Sequence, residues 1–172
     1  QFDWVQIPAG KFVMGEGKEQ HSVDLSAYLI ARTPITNAQY KRFVDETGYD
    51  PPRHWDSGEI PKDKDAHPVV YVSWDDVMAF CKWAGVRLPT EAEWEKAARG
   101  AEGRTYPWGE EPPSNTRCNF GRNMGDTTAV GRYPAGNSPN GLQDMAGNVW
   151  EWTSSLYKAY PYNAMDGRED PE

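Results

Sequence analysis

The chain has 172 residues, 38% hydrophobic and 13% aromatic, with 18 Lys+Arg against 26 Asp+Glu and a formal net charge of −8. That length suits one domain with a real core, and the aromatic share argues against disorder. The acidic balance and the lack of any basic run argue against nucleic acid as a partner, and no apolar run approaches the ~18–20 residues of a membrane helix. The first residues do not form a signal peptide, and since a leader can be removed the compartment stays open. Sixteen Gly and fourteen Pro predict a loop-heavy fold. Two cysteines, Cys81 and Cys118, fit neither a disulfide framework nor a zinc site.

Residues 4–15 read as a β-hairpin, with apolar residues flanking a Pro8-Ala9-Gly10-Lys11 turn. Residues 21–32, ending Tyr28-Leu29-Ile30-Ala31-Arg32, read as a further strand. Three helices follow, each marked by its ends. Thr36 caps a helix over 37–47, with Gln39 completing a capping box, Tyr40, Phe43, Val44 and Thr47 on one face, and Gly48 as the stop. Ser73 caps a second over 74–84, with Val77, Phe80, Cys81 and Ala84 in line and Gly85 as terminator. Thr90-Glu91-Ala92-Glu93 opens a third over 91–99, burying Trp94, Ala97 and Ala98 and ending at Gly100. Residues 101–148 show no sustained period, which in a compact domain requires ions or aromatics to pin them; Trp108, Phe120, Tyr133, Trp150 and Trp152 are available. Val149 to Thr153 is a short strand candidate, and 158–172 reads as an exposed loop without a core pattern.

Several ordered motifs then become specific. They are Ile7-Pro8-Ala9-Gly10-x-Phe12-x-Met14-Gly15, Thr33-Pro34-Ile35-Thr36-Asn37, His67-Pro68-Val69-Val70-x-Val72-Ser73-Trp74, Arg87-Leu88-Pro89-Thr90-Glu91-Ala92-Glu93-Trp94-Glu95 and Tyr106-Pro107-Trp108-Gly109. The last and heaviest is Gly141-Leu142-Gln143-Asp144-Met145-Ala146-Gly147-Asn148-Val149-Trp150-Glu151-Trp152. Together they resemble the sulfatase-modifying-factor family, whose founding member is the formylglycine-generating enzyme. The resemblance implies an α+β, C-type-lectin-like fold of low secondary-structure content, with two main helices beside a small twisted antiparallel sheet. It makes 1–172 a single domain of that type, lacking its C-terminal segment.

The resemblance also implies calcium as a structural cofactor. One site would use backbone oxygens near Asp144, Gly147 and Val149 with the carboxylate of Glu151. A second would use Asn119, Phe120 and Asp126. Calcium takes six to eight oxygens, many of them carbonyls, and these loops offer them densely. The enzyme itself oxidises a sulfatase cysteine to formylglycine with oxygen and a copper ion held by two cysteines, which lie in and after an Arg-Gly-Gly-Ser type segment that does not occur here. Cys81, on the apolar helix face, reads as a buried structural thiol; the resemblance implies that its counterpart can pair with the family's C-terminal part. An iron-dependent branch of the family uses three histidines, and His21, His54 and His67 show no metal-ligand spacing.

The loop 115–132 departs from the catalytic branch, with Cys118-Asn119-Phe120-Gly121-Arg122-Asn123 where the enzyme carries Asn-Ile-Trp-Gln-Gly. That pattern resembles family members that serve as attached or ligand-displaying modules, including retroelement-diversified variable proteins, and makes Arg122 and Asn123 candidate ligand contacts. The reading is therefore a non-catalytic domain that binds a protein or small molecule. The alternative is the copper-dependent oxidase, with its cysteine pair on the C-terminal segment, and a third reading is a domain assisting another enzyme. Since the missing strands would cover sheet edges and helix faces, the expected partner is the remaining C-terminal fragment of the same protein, and a lone 19.4 kDa species by mass spectrometry would contradict that.

Overall fold

The computed structural model describes residues 2–121 and 123–169. Four short strands come first: β1 (Trp4–Ile7), β2 (Gly10–Met14), β3 (His21–Leu25) and β4 (Tyr28–Ala31). Three helices follow, α1 (Asn37–Thr47), α2 (Trp74–Ala84) and α3 (Glu91–Arg99), and then a long irregular stretch interrupted by one 3-10 turn at Pro134–Gly136.

The strands correct the expected hairpin. β1 pairs antiparallel with β4, Trp4 opposite Ala31, and β2 pairs antiparallel with β3, Gly10 opposite Leu25. The reason lies in what the 8–10 turn packs against. Lys96 of α3, 3% exposed, donates from Nζ to both Pro8 O and Gly10 O at 2.8 Å, so the turn is tied to α3 rather than closing on itself. β1 then sends Val5 and Ile7 into a core with Ala97, Ala98, Leu142 and Met145, while β2 sends Phe12 and Met14 into another with Ala92. α3 divides the two sheets. The single expected strand over 21–32 is likewise two, broken at 26–27 where the chain changes sheets.

All three helices have the expected bounds, and each begins with a closed capping box. In α3, Thr90 Oγ1 accepts the Glu93 N–H at 3.1 Å and a Glu93 carboxylate oxygen accepts the Thr90 N–H at 2.9 Å. Gly48 and Gly85 end α1 and α2 in the left-handed region, φ 70° and 68°, where a Cβ is unfavourable. Thr47, expected on the buried face of α1, is exposed and turns its hydroxyl back to Phe43 O at 2.6 Å. α1 and α2 share an aromatic core of Tyr40, Phe43, Trp55 and Phe80, with Tyr40 stacked on Phe80 at 5.6 Å between centroids. Because Thr90 and Glu93 close the α3 cap reciprocally, Thr90→Ala is expected to cost about 1 kcal/mol, read as a drop in the urea midpoint; no measurable drop would mean that Glu93 alone holds this terminus.

Two further expectations are corrected. Val149–Thr153 is not a strand: it pairs with no ladder among the described residues, and Trp150 and Trp152 are 103% and 49% exposed. The tail from 158 is exposed at 159, 161 and 163–167 as expected, but it is not without core contacts. Ser154 N donates to Pro89 O at 2.9 Å, Tyr160 and Tyr162 pack on the Phe12–Met14 core, and Arg168 is wholly covered. Its apolar contacts come from two tyrosines spaced by a proline, which produce no helical or strand periodicity to read. Residues 170–172 lie outside the described residues. No helix among the described residues is long and apolar enough to cross a membrane.

Candidate functional site

The irregular stretch is held by apolar anchors and by asparagines. Leu142 is fully buried and Met145 6% exposed, both in the β1–α3 core. Burying a leucine in this way is worth roughly 2 kcal/mol. Backbone bonds frame the anchors: Ser138 N to Leu142 O and Gln143 N to Arg32 O, at 2.9 and 2.8 Å. The chain then turns sharply through Asp144 (φ 58°), Gly147 (φ 85°) and Asn148 (φ 64°). Asn148 pays for its left-handed backbone with bonds to a second loop: its Oδ1 accepts Thr128 N–H at 2.9 Å and its Nδ2 donates to Thr128 O at 3.1 Å. Its own N–H donates to Asn119 O at 2.8 Å. Asn119 Nδ2 donates to Asp126 O, also at 2.8 Å. The loops 115–132 and 141–152 are thus stitched into one surface.

That surface walls a cavity of about 770 Å³. Asn119, Phe120, Asp126, Asp144, Gly147, Val149 and Glu151 all line it. Sequence reasoning assigned these residues to two sites, and the fold gathers them at one opening. Their electrostatics differ. Asp126 is engaged by Lys64 at 2.7 Å and by the Thr127 N–H, which hold its carboxyl below the usual range. Asp144 has one oxygen on the Gly131 N–H at 2.6 Å, yet burial outweighs that bond and raises its carboxyl. Glu151 is also raised: burial works against its charge, the Trp94 N–H nearby favours it, and the Asp144 carboxylate opposes it again. Glu151 is nonetheless an exposed residue, so water moderates that rise. Among the described residues no acceptor meets the buried Trp94 Nε1 in hydrogen-bond geometry, so its effect on Glu151 is that of a nearby donor. Asp144 and Glu151 are therefore two carboxylates lining one cavity, the charge of the first raising the second, with no basic group among the influences on either, a pairing that suits a hard cation with oxygen ligands.

A second cavity, about 730 Å³, shares the wall of Trp94, Met145, Val149, Trp150 and Glu151. It is mainly apolar and runs along β4 and past Phe2, Trp4 and Val72. At its rim Arg87 forks onto Glu93 at 2.6 and 2.7 Å. Burial alone would raise the Glu93 carboxyl, but Arg87 and Thr90 outweigh it and the group sits below its usual range.

Other candidates are not brought together. Cys81 on α2 lines the apolar cavity and Cys118 sits behind Gly147; both are free and buried, and burial pushes both thiols up. A copper bis-thiolate needs convergent, deprotonated thiols, so these two do not fit that ion. His21 faces Tyr160, His54 lies beside Tyr71, and His67 bonds Thr127 Oγ1 at 2.9 Å. Among the described residues no group of three or more His, Cys, Asp and Glu gathers as a metal site. Asn123 turns into its own loop, accepting the Phe120 N–H and donating to Asn115, and it does not line the cavity. Arg122 lies outside the described residues. Trp150, expected to pin the loop, is fully exposed, and Phe120 and Trp152 are also exposed; the pinning comes from Leu142, Met145, Asn119 and Asn148. Sequence reasoning missed Trp94, which lies on both cavities, and Lys64, which holds Asp126. Trp94 falls on the apolar side of α3 and so resembles any core residue, and Lys64 is 62 residues away from its partner.

Small antiparallel sheets, three helices and a long stitched loop define a C-type-lectin-like α+β fold, and variable protein 1 of Treponema denticola shares it, with a TM-score of 0.73 over 95% of this chain and 76% of that one at 23% identity. A model of the sulfatase-modifying factor enzyme 1-like domain matches residues 2–169. The chain belongs to that family, the family of the formylglycine-generating enzyme. It is 34% identical to the formylglycine-generating enzyme of Mycobacterium tuberculosis, over 94% of this chain and 76% of that protein. It is 36% identical to a hercynine oxygenase of Mycolicibacterium smegmatis over 91% of this chain, and it spans only 46% of that protein's length.

Proposed function

We propose that this chain is a non-catalytic binding domain of the family, taking a protein or small-molecule ligand on a surface pinned by structural calcium. One observation carries the reading: Asp144, Gly147, Val149, Glu151, Asn119, Phe120 and Asp126 share one cavity wall that holds oxygen donors and aromatic rings but neither thiol nor imidazole. The Asp144–Glu151 side takes calcium, which relieves the repulsion between the two carboxylates. Asp126, already neutralised by Lys64, makes the Asn119 side the weaker of the two sites. The exposed Trp150, Trp152 and Phe120 then supply the apolar contacts of a binding surface. The likeness to a variable protein supports the scaffold of this reading, and its ligand stays unnamed. The apolar cavity along β4, which has β1 as its partner strand, is where the remaining C-terminal fragment of the protein would pair.

The test is calcium titration of the chelator-stripped protein. Saturation to about 100 times Kd is expected to add ~2.7 kcal/mol, which raises Tm by roughly 5–10 °C for a domain of this size. Glu151→Gln is expected to remove most of that gain. A Tm indifferent to millimolar calcium would refute the pinned surface.

The second reading is a copper- and oxygen-dependent formylglycine-generating oxidase, favoured by the 34% identity to the mycobacterial enzyme. Its two thiolates would come from outside residues 1–172, because Cys81 and Cys118 do not fit the ion. Copper-dependent conversion of a Cys-x-Pro-x-Arg peptide to the aldehyde by the full-length protein would decide for it.

A further inference from the structure

His21, the first residue of β3, stands between two backbone groups of opposite kind. Its Nδ1 lies 2.7 Å from Glu19 O, and its Nε2 accepts the Tyr162 N–H at 2.9 Å. A carbonyl oxygen only accepts and an amide N–H only donates, so the ring that satisfies both is neutral, with its proton on Nδ1. Tyr162 belongs to the strap of residues 154–169 that crosses β2, β3 and the start of α3. The strap is fixed at one end by Ser154 N on Pro89 O and by the Glu91 N–H on Ser155 Oγ, and at the other by Arg168 against Glu91 and Asp166. Between those ends it covers the Phe12–Met14 core with Tyr160 and Tyr162.

The groups around the imidazole come from each neighbouring element. From the strap, the Tyr160 ring lies 5.5 Å from it, centroid to centroid. Behind that ring, α3 offers Glu91, which accepts the Tyr160 hydroxyl at 2.9 Å, and Glu95, 3.5 Å from the same hydroxyl and paired with Arg99. From the turn before β3 comes Glu19, through its backbone carbonyl, and Arg168 stacks 4.9 Å over the Tyr162 ring. Among these bonds, the one from Tyr162 N–H to Nε2 is the one that imidazole protonation reverses.

We propose that His21 is an acid-released latch for this strap. A proton added at Nε2 replaces the acceptor with a donor, so imidazolium N–H faces amide N–H and both lose their bond. The middle of the strap then lifts from the β2–β3 pair while its two ends stay fixed, and the Phe12–Met14 core opens to water. One proton is taken up for each opening.

The experiment is hydrogen exchange of the Tyr162 amide in the full chain, with protection factors corrected for the intrinsic pH dependence of exchange and compared at pH 8 and pH 5. Wild type is expected to lose about tenfold in protection on acidification, with Leu156 at the fixed end unchanged. His21→Gln, which keeps a side-chain acceptor that does not titrate, is expected to give equal protection at both pH values. Should that variant fold poorly, ¹⁵N spectra of the wild-type imidazole replace it: the latch requires the Nδ1–H tautomer at pH 8 and a Tyr162 amide shift that titrates together with the His21 ring. Protection that ignores pH in wild type, a pH dependence that persists in His21→Gln, or the Nε2–H tautomer at pH 8 would each overturn the proposal.

Discussion

Arg168→Ala is expected to lower folding stability by about 2–3 kcal/mol. The side chain is 0% exposed. Its Nε and Nη2 lie 2.9–3.2 Å from the Asp166 carboxylate, and Nη2 also donates to Ala159 O. Among the described residues Nη1 has no hydrogen-bond partner and meets Glu91 at 3.5 Å, while the guanidinium lies over the Tyr162 ring. Breaking a deeply buried ion pair costs 3–5 kcal/mol. The figure here is set lower because Asp166 and Glu91 keep about a third of their side-chain surface in water and recover hydration when the arginine goes. The hydrogen bonds from Arg168 outweigh desolvation and hold the Asp166 carboxyl below its ordinary range. A carboxyl depressed on folding adds stability above its unfolded pKa and loses it as pH falls through the folded value. The gap between wild type and Arg168→Ala should therefore narrow below about pH 4. Urea unfolding at pH 7 and pH 3 measures both effects. A loss under ~1 kcal/mol at pH 7 would mean that the strap lies outside the cooperative fold.

The helices were legible because their signals are local. Each capping box and each terminal glycine fixes an end from residues three or four apart, and nothing distant overrides them. Strand partners were not legible, because β1 and β2 alternate as a hairpin would and only Lys96, some 86 residues from Gly10, decides that the turn binds α3 instead. The strap failed for a similar reason: Arg168 looks like any surface arginine until Glu91 is placed against it. For the site, the resemblance supplied the residues and the fold supplied their meeting. Two proposed ligand sets lie on one cavity because Asn148 ties Thr128 and Asn119 to the Gly141–Trp152 motif. What the sequence had wrong there was the role of the tryptophans. In a loop-rich chain an aromatic reads as core, yet here Leu142 and Met145 fill the core and leave Trp150 outside.

Gly147→Ala is expected to do the most local damage to that cavity, about 2–4 kcal/mol in calcium-free buffer. The backbone at Gly147 has φ 85°, a region that costs a residue with a Cβ roughly 1–2 kcal/mol. The added methyl would also run into the Asn119 carbonyl oxygen, with the Asn119 carbonyl carbon 3.2 Å and the Cys118 Cβ 3.3 Å away. These are backbone and buried atoms, so no flexible side chain can swing clear, and overpacking of this kind typically costs 1–3 kcal/mol. Relief would require Asn119 to move, and its carbonyl is the acceptor for Asn148 N–H. Asn148 would then lose its grip on Thr128, and the two loops would part. The same displacement moves the Asp144–Glu151 wall, so the calcium-dependent rise in Tm should shrink together with stability. Thermal unfolding with and without calcium separates the two consequences. A large loss of stability with the calcium gain intact would show that Gly147 serves packing alone and that the cation binds elsewhere. A loss under ~1 kcal/mol would show that the loop yields, and that the bonds through Asn119 and Asn148 do not set its shape.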